Sequence, residues 1–111
     1  MKTSPDFAEK VIDTVMRIPR GRVTTYGALA TFCGSPKSAR YVGSLLKMSR
    51  YSSFDLPAHR VVNRHGMLTG QAFFDNDYPM HKRLEEEGVK VENNQVVNFE
   101  DLFWQPTELL K

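Results

Sequence analysis

Cysteine is nearly missing from this chain. Cys33 is the only one in 111 residues, which excludes an internal disulfide and a thiolate zinc site. No apolar run approaches the ~18 residues that a membrane span needs. No signal-peptide pattern opens the chain at Met1-Lys2-Thr3-Ser4-Pro5, so a reducing, cytoplasmic setting is expected and no membrane partner. His59, His65 and His81 lack metal-ligand spacing with carboxylates, so neither a metal nor another cofactor is expected. Acidic residues are scarce in the middle of the chain. Between residues 17 and 64 the only carboxylate is Asp55, against Arg17, Arg20, Arg22, Lys37, Arg40, Lys47, Arg50, Arg60 and Arg64. A net charge of +2 conceals that asymmetry, which is the electrostatic footprint expected of a DNA-facing surface. Apolar residues at 41% and charged residues at 25% describe a folded globular chain rather than a disordered one. Residues 1–111 are expected to form one small domain.

What is present reads mainly as helix. Ser4-Pro5 is an N-cap followed by proline at the first helical position. Phe7, Val11, Ile12, Val15 and Met16 then recur at helical spacing and predict a buried face. Pro19 and Gly21 end that helix. Thr25 is expected to cap a second helix over Tyr26–Cys33, with Gly34 at its C′ position. Ser35-Pro36 restarts a third helix, so the pair makes a helix-turn-helix. On helix three, Ala39, Val42, Gly43 and Leu46 are expected to face the core. Lys37, Arg40, Ser44 and Lys47 fall together on another face, where small and basic residues suit a helix lying in a DNA groove.

The stretch Leu56-Pro57-Ala58-His59-Arg60-Val61-Val62 is unusual, because two polar heads sit on what should be a buried, extended segment. Buried polar groups need partners, so this is either a satisfied network or a pocket wall. Residues 49–55 read as a polar loop, and Asn63-Arg64-His65-Gly66 as a turn. Tyr78-Pro79 opens a fourth helix to Glu87, stopped by Gly88, with a solvated run of i,i+3 and i,i+4 charge pairs over 82–87. Asn93-Asn94 between Val89–Glu92 and Gln95–Asn98 is a hairpin signal. The tail from Phe99, with Leu102, Phe103 and Trp104, is expected to pack back on the domain.

Three of these segments, in this order, resemble the O6-alkylguanine-DNA alkyltransferases. Pro57-Ala58-His59-Arg60-Val61 is similar to their Pro-Cys-His-Arg-Val motif, with Ala58 at the place of the reactive cysteine. Gly21-Arg22-Val23-Thr24-Thr25-Tyr26-Gly27-Ala28-Leu29-Ala30 resembles the segment that ends beside the DNA backbone. Gly34-Ser35-Pro36-Lys37-Ser38-Ala39-Arg40-Tyr41-Val42-Gly43 is similar to the recognition helix. The whole chain resembles the alkyltransferase-like proteins, which keep the recognition machinery without the nucleophile. The resemblance implies a mainly α domain with a small β hairpin, a winged helix-turn-helix like the C-terminal domain of DNA alkyltransferases. It implies DNA contacts from Thr25, Tyr26, Lys37, Ser38, Ala39, Arg40, Ser44 and Lys47. Arg40 would act as a finger filling the vacancy left by a flipped nucleotide, and Tyr26 would press on the target phosphate. It implies a lesion pocket of Tyr26, Pro57, Ala58, His59, Arg60 and Glu87, in which Glu87 aligns with the glutamate that orients the histidine. Family members usually carry an asparagine hinge within the stretch matching 49–55; none stands there, so that role is not carried over. Where the family has a Gly/Ser-rich lid, this chain has Gly70-Gln71-Ala72-Phe73-Phe74, and Phe73 and Phe74 are read as core or as stacking surfaces for a base.

Alkyl transfer needs a thiolate activated by an adjacent histidine. Ala58 offers only a methyl group, and Cys33 falls at a core-facing position of helix two, where cysteines are usually inert. A non-enzymatic protein is therefore expected. It would bind double-stranded DNA containing O6-alkylguanine, as a monomer, and flag the lesion for nucleotide excision repair proteins. Alkyltransferase-like members often have tryptophan at the Ala58 position, so alanine implies a roomier floor. Two other readings stand beside this one. A winged helix-turn-helix regulator would use 89–98 as its wing and would need a dimer. An enzyme acting on phosphate esters through His59 and Arg60 would lack metal ligands.

Overall fold

In the computed structural model, residues 5–48, 56–71, 74 and 76–110 are described. The Ser4 cap, the loop 49–55, Arg50 and Phe73 lie outside the described residues. Helix α1 (Pro5–Met16) buries Phe7, Val11 and Val15 completely or nearly so, with Ile12 partly buried behind them. Met16 departs from the expected face and is 50% exposed, because Ile18 on the following turn takes the core position instead. A two-residue strand β1 (Thr24–Thr25) leads directly into α2 (Tyr26–Phe32). Thr25 caps α2 as its spacing predicts, its Oγ1 accepting from the Ala28 N–H at 3.0 Å. Cys33 is the C-cap rather than the last helical residue. Gly34 follows at φ +99°, and Ser35 N–H donates to Ala30 O at 2.9 Å while Gly34 N–H reaches Thr31 O at 3.1 Å. That is a Schellman closure, which needs the left-handed residue that glycine supplies.

The third helix begins later than expected. Pro36–Ser38 forms a 3-10 turn, and α3 proper spans Ala39–Leu46. Val42, Leu45 and Leu46 are its buried residues, whereas Ala39 and Gly43 are only partly covered. The core of α1, α2 and α3 is completed by Val61 and Trp104. A second core gathers Val23, Val62, Leu68, Met80, Leu84, Val89 and Val96.

Between the two cores runs a parallel pair that sequence spacing does not announce. Strand β1 pairs with β2 (Val61–Val62) in the register Thr24 with Val61 and Thr25 with Val62. Successive side chains of a strand point to opposite faces, which is why Val61 serves one core and Val62 the other. The residues before β2 are not extended as expected. Ala58–Arg60 turns as a 3-10 helix, which tucks two polar side chains toward partners from distant parts of the chain.

Helix α4 (Met80–Glu85) is shorter than the expected Tyr78–Glu87 span. Among the described residues no ion pair joins two of its side chains; Glu87 and Arg83 are engaged elsewhere, as described below. The hairpin is as expected, with β3 (Val91–Glu92) antiparallel to β4 (Gln95–Val96). Asn93 at φ 52° and Asn94 at φ 63° make the two-residue turn whose twist suits a hairpin. Asn63 Oδ1 accepts from His65 N–H and Met67 N–H, both at 2.9 Å, confirming the turn before them. The tail returns through α5 (Phe99–Leu102). Trp104, 3% exposed, donates its backbone N–H to Val23 O at 2.7 Å.

Candidate functional site

The site is built on two platforms. The first is α3 with its preceding turn, where Lys37, Arg40, Ser44 and Lys47 are all exposed. Ser38, half-buried, hydrogen-bonds Ser35 across the turn at 2.6 Å and holds that turn rather than projecting from it. Ala39 is partly covered against the core. Tyr26, the first residue of α2, is partly buried and lies beside α3. A Cβ placed on Gly43 would be 3.7 Å from its ring, so the tyrosine seats against a helix face kept free of bulk. Burial pushes the Tyr26 phenol up, and a hydrogen bond with the Thr69 side chain opposes part of that shift. Thr69 directly precedes the lid-like segment, and no local pattern marks it as a partner of Tyr26.

The broad basic tract read from composition is not one surface. Arg17 pairs with Asp13 at 3.2 Å, and Arg20 donates to Glu86 O at 2.8 Å. Arg22 is spent on the tail, its Nε donating to Leu102 O at 2.9 Å and its Nη2 to Phe103 O at 2.7 Å, with Glu108 at 3.4 Å. Arg60 is partly buried against Glu87. Arg20, Arg22 and Arg60 bridge distant parts of the chain, Arg17 is spent on an exposed pair within its own helix, and Lys37, Arg40 and Lys47 lie exposed together on the α3 platform.

The second platform is the 58–60 turn. Pro57 is buried, and Ala58, His59 and Arg60 are partly buried. His59 Nε2 lies 2.8 Å from Glu87 Oε2. Arg60 grips the same carboxylate with Nε at 2.9 Å from Oε1 and Nη2 at 2.7 Å from Oε2. Its Nη1 donates to Ile18 O at 2.8 Å. Gly21 N–H adds a further bond to Glu87 Oε1 at 3.2 Å. For Glu87, burial would raise the pKa, but the bonds from Arg60, His59 and Gly21 outweigh it and hold the carboxyl at about 2. For His59, burial is the largest influence and lowers its pKa, although Glu87 pulls the other way. The imidazole is therefore neutral at pH 7. A carboxylate can only accept, so the ring proton sits on Nε2 and Nδ1 carries a lone pair.

Pro57, His59, Arg60 and Glu87 also line a cleft of about 360 Å³, together with Arg20 and Tyr78 among others. Tyr26 and Ala58 do not line it. The structure thus brings the His59–Arg60–Glu87 part of the expected pocket together as one bonded unit and places Tyr26 on the other platform. Phe74 is partly buried, under the Arg83 guanidinium at 4.9 Å, which also lies 4.1 Å over the Tyr78 ring. Cys33 is buried, with Thr14 Oγ1 at 3.7 Å, and burial pushes its thiol up. That is the setting of an inert core cysteine.

Comparison with known proteins finds a family and several relatives. The family described as 6-O-methylguanine DNA methyltransferase, DNA binding domain, matches residues 6–89. Alkyltransferase-like protein 1 of Schizosaccharomyces pombe is 34% identical over 105 residues, covering 91% of this chain and 96% of its own. The DNA base-flipping protein of Escherichia coli strain K12 is 40% identical over 106 residues, covering 94% of this chain and 78% of its own. The crystal structure of S. pombe Atl1 in complex with damaged DNA containing O6-carboxymethylguanine superposes with a TM-score of 0.81 at 33% identity. That match covers 95% of this chain and 100% of the other.

Proposed function

Since the chain belongs to the alkyltransferase-like proteins, within the family of the 6-O-methylguanine DNA methyltransferase DNA-binding domain, we propose that it binds duplex DNA containing O6-alkylguanine, extrudes the damaged nucleotide and leaves the alkyl group in place. One observation carries the reading. The His59–Glu87 pair that would serve a thiolate is intact at 2.8 Å, yet residue 58 is alanine. A recognition wall persists where the reaction has no nucleophile.

Lys37 and Lys47 approach phosphates, and close approach is favoured by the small residues beside them on α3. Arg40 enters the duplex and occupies the vacated stack, while Tyr26 bears on the phosphate of the target nucleotide. Weak pairing of O6-alkylguanine lowers the cost of extrusion, which is a few kcal/mol for an ordinary base. The wall formed by Pro57, Ala58, His59 and Arg60, fixed by Glu87, receives the base. With no chemistry to complete, the complex persists until nucleotide excision repair proteins take over the marked site.

The test is a titration of two labelled duplexes that differ only by O6-methylguanine in place of guanine, at matched salt. Tighter binding of the lesion duplex is expected. Equal affinity for both would overturn lesion recognition and leave a general DNA-binding domain.

A further inference from the structure

Strands β1 and β2 carry the two platforms toward each other: Tyr26 follows β1 directly, and Ala58 stands three residues before β2. Each strand is only two residues long, so the backbone ladder between them is minimal. The hydrophobic pattern does not define their register either. Register is strongly specified where one face is apolar and the other polar, but here both faces are buried. Val61 and Val62 are each 0% exposed and belong to different cores. A one-residue slip would exchange one valine for another. Thr24 gives no help, because its buried Oγ1 has no hydrogen-bond partner among the described residues.

What does bind the two strands' leading ends is Glu87. Its carboxylate takes Gly21 N–H, three residues before β1, and both His59 and Arg60, immediately before β2. Gly21 passes so close that a Cβ there would sit 3.3 Å from Glu87 O, at φ +84°, which confines that position to glycine. Arg60 extends the fastening to Ile18 O. We propose that Glu87 is a positioning residue: it pins the register of β1 against β2 and thereby sets the spacing between Tyr26 and the Ala58 wall on which lesion selectivity depends. The resemblance assigns the glutamate to orienting a catalytic histidine; with alanine at 58, the same carboxylate serves geometry instead of thiol activation. The link to selectivity rests on the DNA reading above, whereas the register pin does not.

The experiment uses the full chain and Glu87→Gln. That substitution keeps the side-chain volume but removes the charge and one acceptor, so the amide cannot satisfy Arg60, His59 and Gly21 together. Two signals are read. The first, without DNA, is the set of cross-strand nuclear Overhauser contacts between Thr24 and Val61 and between Thr25 and Val62. The second is the ratio of affinities for O6-methylguanine and undamaged duplexes, together with a fluorescent base analogue beside the lesion. Expected are loss or splitting of the cross-strand contacts and a drop of roughly ten-fold in lesion preference. Undamaged DNA should bind as before, because Lys37 and Arg40 are untouched. Glu87→Asp should fall between the two. Should Glu87→Gln not fold, Arg60→Lys, which keeps the charge and loses the fork, reads the cross-strand contacts, and Glu87→Asp reads the lesion preference. Unchanged cross-strand contacts overturn the pin. Lost contacts with unchanged lesion preference overturn its link to selectivity. A wild-type chain without lesion preference overturns the DNA reading instead, and the contacts still decide the pin.

Discussion

Arg22 and Lys37 are both cations of the same tract, and composition treats them alike. The structure separates them, so replacing each by alanine gives opposite outcomes. Lys37 is exposed on the 3-10 turn before α3, where a phosphate can meet it. Its loss should lower the slope of log affinity against log salt by ~1, and weaken every duplex by about eight-fold at 0.1 M salt. Arg22 donates to two tail carbonyls and an acidic partner. A hydrogen bond from a charged donor contributes ~1.5–3 kcal/mol when buried. Its side chain is 32% exposed, and solvent screening reduces that to ~1–2 kcal/mol for the set. Arg22→Ala should therefore lower the Tm by roughly 5–10 °C and leave the salt slope alone. Fluorescence anisotropy at several salt concentrations and a thermal melt supply both readings. If Arg22→Ala flattens the salt slope as much as Lys37→Ala does, the division between structural and DNA-facing cations is wrong.

Other expectations follow from single sites. Arg40→Ala should weaken lesion duplexes by ~1–3 kcal/mol beyond the effect of Lys37→Ala, the range for stacked side chains, and dim a flipped-base reporter; equal losses for both variants would reduce Arg40 to a phosphate contact. Ala58→Trp should reorder affinities for O6-methyl against larger O6-alkyl lesions more than it changes their average, because bulk alters volume rather than charge; uniform weakening would place Ala58 off the alkyl site. Thr24→Val should stabilise the fold by ~1 kcal/mol, since it removes a buried hydroxyl that has no partner among the described residues; chemical denaturation reads this, and destabilisation would mean the hydroxyl is satisfied. Acid should lower the stability of the fold in two stages. His59, lowered by burial, contributes stability above pH ~6.5 that is lost as pH falls through its folded pKa. Glu87, lowered from 4.5 to about 2, contributes stability above pH 4.5 that is lost as pH falls toward about 2. Glu87→Gln should remove the lower stage, and an unaltered acid profile would contradict the role given to that carboxylate.

Local grammar made much of this fold legible. The Thr25 cap, the Gly34 stop, the Asn63 turn and the Asn93-Asn94 hairpin are each written within a few residues and are found in place. What sequence missed depends on distant pairing. Arg22 and Gly21 find their partners 80 and 66 residues away, so a count of cations could not tell which were already engaged. The 58–60 segment reads as extended from Pro57 and the valines, yet it turns because His59 and Arg60 must reach Glu87. Leu45 joins the expected Val42 and Leu46 as a buried residue of α3, whereas Ala39 and Gly43, which have little side chain to bury, are only partly covered. The parallel β1–β2 pair is too short to leave a periodic signal. The order of the three motifs, by contrast, is by itself enough to point to the family.

Binding without transfer is tested most directly by following one methyl group. The protein in molar excess is incubated with a duplex carrying O6-methylguanine labelled in its methyl carbon, and the complex is isolated, dissociated and divided. Label should remain wholly on the DNA, and the intact protein should keep its original mass although the complex formed. Label on the protein, with a matching gain of one methyl group in its mass, would contradict the proposal and require a nucleophile other than residue 58.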